Sequence, residues 1–310
     1  MIVVNRNIAL DILKAILSVM VFGIHVLHDD SYIINLFQQG FFRLAVPIFY
    51  IINGYYLFNA IKDRKYNIWI KRSVILYSVW MLIYSPFWFK GSMSTSVVAV
   101  VGYWHLWYVS GMIFGSLVIL FVNNFSLRNK CILILTLLAF GIGIQYGSCY
   151  GMTQDDGSLG KFFGRIELHR NFILLSFPFM FIGYLIHQHS VHLRISIKTV
   201  SCFLFLGFLM MISEASLNYF YSTDRNFDNL LSTVILAPCI FLVILNCVYL
   251  SKQKYISLMS SALYFTHPLA ILICVRYFDY GITLMSSALF CSIVLSAIVV
   301  YVNNRVKILL

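Results

Sequence analysis

The chain reads as a succession of long apolar segments separated by short polar joints. They lie near 8–28, 41–60, 73–89, 104–122, 131–148, 171–187, 199–213, 229–250, 258–275 and 282–302. A helix needs about 20 predominantly apolar residues to cross the hydrocarbon of a bilayer. The pattern therefore predicts an all-α, polytopic membrane helical bundle of about ten transmembrane helices. Residues 91–103 are apolar but too short to cross, and are expected to form an interfacial or re-entrant piece. The longest external joint, 149–170, carries the turn-rich stretch GMTQDDGSLGK.

The first segment, IALDILKAILSVMVFGIHVLH, breaks the apolar pattern in an ordered way. At 100° per residue, the gap between Lys14 and His25 is three helical turns plus about 20°. The two side chains share one face, stacked roughly 16 Å apart along the axis. Asp11, Ser18 and His28 fall on the same side. Ionisable groups are costly in hydrocarbon, so a polar seam of this kind marks a functional site by default. The plainer reading is a seam that docks the helix, although Ser or Thr would dock it at less cost.

Charge then orients the bundle. Alternate joints hold fourteen Lys and Arg on one side, among them Lys62, Arg64, Lys71, Arg72, Arg128 and Lys252, with Asp63 as the one acid there. The other side holds six basic residues and nine acids. That asymmetry places both termini in the cytoplasm. It also explains the net charge of +11 without nucleic acid. Apolar residues make up 61% of the chain and charged ones 11%, against roughly 25% charged in soluble domains. The seven cysteines are scattered singly, which predicts neither a disulfide framework nor a metal site. No signal peptide, internal repeat or soluble domain is expected, so residues 1–310 read as a single membrane domain.

Three further segments carry candidate chemistry. The second, FFRLAVPIFYIINGYYLF, places Arg43 at its outer end and Pro47 and Asn53-Gly54 inside. A kink there would let Asn53 line a cavity. The fourth opens with YWHLWYVSGM, whose Trp and Tyr residues suit an interfacial anchor; His105 adds a titratable group at that depth. The ninth contains SSALYFTHPLAI, where His267 precedes Pro268 and the backbone is expected to break.

Taken in order, LDILKAILSVMVFGIH, RLAVPIFYIINGYYLF, WHLWYVSGM and SALYFTHPLAI resemble the acyltransferase-3 family of integral-membrane acyltransferases. The likeness covers residues 10 to 275. Where family members often carry a second Arg three positions after Arg72, this chain has Ile75. The resemblance implies O-acyl transfer, usually acetyl, from cytoplasmic acetyl-CoA to a sugar hydroxyl of a surface polysaccharide such as an O-antigen, or of its lipid-linked precursor. It implies a multi-pass protein of the bacterial inner membrane with membrane lipid around it, acetyl-CoA as donor, no tightly bound cofactor and no nucleic-acid partner. By the same likeness His25, His105 and His267 are catalytic, with His25 as general base or acyl acceptor. Lys14 and Arg72 bind the donor, and Arg43 binds the acceptor or an oxyanion; Asn53, from the kink expected in its own segment, is a further acceptor- or oxyanion-binding candidate. An extra extracytoplasmic hydrolase-like domain, found in some members, is not expected here.

A hydroxyl is a poor nucleophile at neutral pH, and a neutral imidazole that takes its proton speeds attack on a thioester. Nearby donors stabilise the oxyanion that develops. Two other functions use the same residues differently: a transporter of a polar solute or lipid-linked sugar with a His/Lys proton relay, and a non-catalytic subunit that docks glycan-assembly enzymes.

Overall fold

A computed structural model describes residues 6–27, 31–89, 95–151, 165–224, 227–251 and 253–310. Among them are ten helices of twelve or more residues. They are α1 (Ile8–Val26), α2 (Ala45–Lys62), α3 (Tyr66–Ile83), α4 (Trp107–Val122), α5 (Leu127–Cys149), α6 (Phe177–Gln188), α7 (Ile197–Tyr221), α8 (Leu231–Asn246), α9 (Tyr255–Cys274) and α10 (Ile282–Val306). Each overlaps one apolar segment of the sequence. The only extended pairing among the described residues joins β1 (Arg6–Asn7) to β2 (Leu250–Ser251), antiparallel, Arg6 opposite Ser251.

Among the described residues, seven helical stretches are long and apolar enough to cross a membrane. One runs unbroken from Tyr32 to Lys62 and includes α2. Helix α8 and the stretch Phe172–Gln188, which contains α6, are apolar but shorter, and α3 is not among the seven. Asn67, Lys71 and Arg72 make its first turns polar. Only 28%, 22% and 22% of the apolar windows of α5, α7 and α10 are buried, against 67% for Trp104–Val122. Those three helices therefore turn most of their apolar surface outward, as lipid-facing helices do. The protein is an all-helical, multi-pass membrane protein.

The chain forms two compact units. The first comprises Met1–Asp30, Asn67–Ser110 and Ile244–Leu310. Asn7 caps α1 by accepting from Ala9 N–H at 3.0 Å. Small polar residues join its helices: Ser18 Oγ donates to the Ser260 carbonyl at 2.9 Å, and Thr266 Oγ1 lies 3.0 Å from Ser296 Oγ. Such contacts replace the hydrophobic drive that lipid removes. Trp80 stacks on Phe265, ring centres 4.9 Å apart, and its indole donates to the Leu309 carbonyl at 3.0 Å.

The second unit comprises Ser31–Tyr66 and Gly111–Val243. Before α2 the backbone passes through a π-helical turn, Leu36–Gly40, and a 3₁₀ turn, Phe41–Leu44. The structure corrects one expectation here. Pro47 sits in the first turn of α2, a position that tolerates proline, and α2 continues as α-helix through Asn53-Gly54. Gly54 acts in packing. A Cβ there would overlap the Met180 carbonyl, and one at Gly183 would overlap the Ile51 carbonyl, so α2 and α6 cross backbone to backbone. The N-terminus of α8 is held by Glu214, which accepts from Leu231 N–H at 2.6 Å and Ser232 N–H at 2.8 Å.

A second correction concerns α9, which continues through His267-Pro268 without a break. Of the features read from the sequence, His28, most of GMTQDDGSLGK and the start of the 91–103 piece lie outside the described residues. The rest of that piece includes a seven-residue helix, Thr95–Val101.

Candidate active site

Three histidines from three separate segments of the first unit meet. His25 lies in the last turn of α1, His105 in the 3₁₀ turn Trp104–Leu106, and His267 at the middle of α9. The rings of His25 and His267 stack with centres 5.5 Å apart and planes 20° apart. His105 meets His267 edge-on at 5.3 Å. His267 and His105 are 0% and 2% exposed; His25 is half-buried.

The hydrogen bonds around the rings are uneven. Trp104 Nε1–H donates to His25 Nδ1 at 3.2 Å. His267 Nδ1 faces the Leu263 carbonyl at 3.2 Å. Among the described residues nothing bonds His267 Nε2, or either ring nitrogen of His105. Buried polar atoms nearly always have partners, so unbonded nitrogens on adjacent rings mark where a polar group belongs. Aromatic side chains close the surroundings: Tyr84 and Tyr264 meet His105 edge-on at 5.2 and 5.4 Å, and the Tyr264 hydroxyl donates to the His105 carbonyl at 2.7 Å. No group of three or more His, Cys, Asp or Glu among the described residues is placed to hold a metal ion.

Trp104 does more than anchor an interface. Its backbone has φ of +46°, in the left-handed region. Such a conformation in a bulky residue costs about 1–3 kcal/mol and persists where the surroundings over-determine it. Gly102, at φ of +99°, supplies the turn that precedes it. The strained stretch aims the indole at His25. Sequence reasoning missed this because positive φ leaves no mark in residue identity at a Trp.

The polar seam of α1 leads toward the same centre. Asp11 and Ser18 are buried, and Lys14 Nζ lies 3.6 Å from Asp11 Oδ1. Arg72 is exposed on α3.

Arg43 and Asn53 belong to the second unit. Asn53 is half-buried in α2. Arg43 is buried and enters an ionic cluster: Nη1 donates to Asp228 Oδ1 at 2.7 Å and Nη2 to Gln39 Oε1 at 2.6 Å. Arg170 grips the same carboxylate with two bonds, Nε to Oδ2 at 2.6 Å and Nη2 to Oδ1 at 2.7 Å, and His169 Nε2 stands 3.8 Å away. Burial by itself would raise the Asp228 pKa. Arg170, His169 and Arg43 outweigh it and hold the carboxyl well below the usual carboxylate range. Read from the sequence, Arg170 and Asp228 are ordinary charges of external joints.

The chain is similar to two curated proteins. It is 21% identical to an amino-acid racemase of Enterococcus faecalis over 98% of this chain and 47% of that protein. It is 24% identical to a serine/alanine racemase of Enterococcus gallinarum over 86% of this chain and 41% of that protein. The chain thus spans less than half the length of either relative. No solved structure matches. The family-level match is the broader one: residues 7–302, which include all three histidines, Trp104 and the α1 seam, match the acyltransferase-3 family, described as an acyltransferase domain. This chain belongs to the acyltransferase-3 family of membrane acyltransferases.

Proposed function

We propose that the protein moves an acyl group, acetyl in the first instance, from acetyl-CoA to a sugar hydroxyl of a surface glycan or its lipid-linked precursor. We place the reaction at the His25–His105–His267 centre. The observation that carries this reading is the convergence of three histidines, two of them buried with unbonded ring nitrogens, inside a membrane domain of an acyltransferase family. Such a centre can remove a proton from a hydroxyl and donate to an oxyanion, the two needs of thioester attack.

Lys14, three turns along the same helix, and Arg72 would meet anionic parts of the CoA donor on the cytoplasmic side. Inner-membrane placement follows from this reading, since acetyl-CoA is a cytoplasmic thioester. The relatives' racemase names belong to proteins more than twice the matched length.

The test is incubation of the purified chain in lipid with radiolabelled acetyl-CoA and lipid-linked glycan. Label should pass to the glycan. His25→Ala should lower the rate by roughly 10² to 10³ while the protein stays inserted. Lys14→Ala should raise KM for acetyl-CoA, and Lys14→Arg should restore it, because it keeps the charge. Flux of a polar solute across vesicles without any labelled glycan would favour the transporter instead.

A further inference from the structure

Two hydrogen bonds decide where the protons sit on His25 and His267. An indole N–H can only donate, and that of Trp104 points at His25 Nδ1. A neutral imidazole carries one N–H, so His25 bears it on Nε2. His267 is the reverse. Its Nδ1 faces a carbonyl oxygen, which can only accept, so the proton is on Nδ1. The lone pair of His267 is then on Nε2, and no described residue donates to it. The stacked pair therefore sets a ring in its Nε2–H form against a ring whose Nε2 is a lone-pair acceptor.

We propose, resting on the acyl-transfer reading above, that His267 Nε2 is the proton acceptor, that His25 Nε2–H is the donor to the thioester carbonyl oxygen, and that Trp104 is the positioning residue that holds His25 in its donor tautomer. His25 is half-buried and His267 fully buried, so substrates reach His25 first. The sugar oxygen attacks the carbonyl carbon as its proton passes to His267 Nε2, directly or through one water. The C–O bond forms and the oxyanion rests on His25 N–H. The C–S bond then breaks, the electron pair leaves with sulfur, and the proton on His267 passes to the departing thiolate. CoA thiol and the ester are released, and both rings end as they began. His25 never gives up its proton and never carries the acyl group, so transfer is direct.

The test uses membranes holding the full chain, radiolabelled acetyl-CoA and the lipid-linked glycans of the same cells. A Gln side chain offers an N–H donor but takes up no proton. His25→Ala should lose roughly 10² to 10³ in rate, and His25→Gln should recover at least about tenfold of that loss. His267→Ala should lose roughly 10² to 10⁴, and His267→Gln should recover none of it. Nitrogen NMR of the reconstituted protein should show His25 protonated at Nε2 and bare at Nδ1. Trp104→Phe should turn that signal into a mixture of tautomers and lower kcat with little change in KM for acetyl-CoA. An active wild type with His25→Gln as inert as His25→Ala would overturn the proposal alone, as would the opposite tautomer or an acetyl-His25 adduct trapped by acid quench. A wild type that transfers no label would overturn the acyl-transfer reading itself.

Discussion

The hydroxyl of Tyr84 accepts the backbone N–H of Leu269 at 3.2 Å and donates to the Phe265 carbonyl at 2.8 Å. Phe265 and Leu269 are four apart, so one side chain bridges an i, i+4 pair of α9. Pro268 lies inside this turn and lacks an N–H of its own. Side-chain hydroxyls from neighbouring helices can re-satisfy backbone that a proline disturbs. That is why α9 holds His267 on a continuous helix.

Tyr84→Phe removes this bridge while keeping the ring against His105. With buried backbone groups left unbridged, stability should fall by about 1–3 kcal/mol. Denaturant unfolding in detergent measures it. An unchanged midpoint would mean that the α9 turn closes its own hydrogen bond.

Gly54 and Gly183 are reciprocal, each lying against the backbone of the helix that carries the other. A methyl at either meets a carbonyl that cannot move without moving its helix. Gly54→Ala or Gly183→Ala should therefore destabilise by at least about 1–3 kcal/mol, the usual cost of overpacking. Gly143→Ala is the control, since a Cβ there meets nothing within 4 Å. Thermal scans in one detergent compare the three.

Asp228 makes the second unit sensitive to acid. Its folded pKa is depressed, so the stability it supplies is fully present above its unfolded pKa, about 3.9, and is lost as pH falls toward the folded value. At neutral pH Asp228→Asn should cost about 3–5 kcal/mol, because it strips the carboxylate from two guanidinium groups. The gap between wild type and Asp228→Asn should narrow steadily below about pH 4. Unfolding midpoints of both proteins across pH 3 to 7 decide it.

Topology is tested by reporter fusions after Asn67 and after Asp156. The charge asymmetry of the joints predicts opposite sides of the membrane. Reporters on one side would overturn the span assignment and with it the cytoplasmic termini.

Hydrophobicity along the chain determined the helical class and the approximate place of the ten long described helices, seven stretches of which are long and apolar enough to cross, because in lipid each span must satisfy its own backbone. The spacing of Lys14 and His25, and the residue types at 105 and 267, marked candidate chemistry, since ionisable groups inside apolar runs stand out one segment at a time. Helix ends were less legible: α3 starts at Tyr66, seven residues before the apolar run, because its first turns are polar. What the sequence alone left open is every relation between segments. That Trp104 turns through a left-handed backbone to bond His25, that Tyr84 bridges the α9 turn that holds Pro268, and that Arg43 and Arg170 share Asp228 are contacts between residues 79, 185, 185 and 58 positions apart. Hydropathy and spacing report local preference. Which lone pair faces which donor is decided only when separate helices pack and their side chains compete for the same partners.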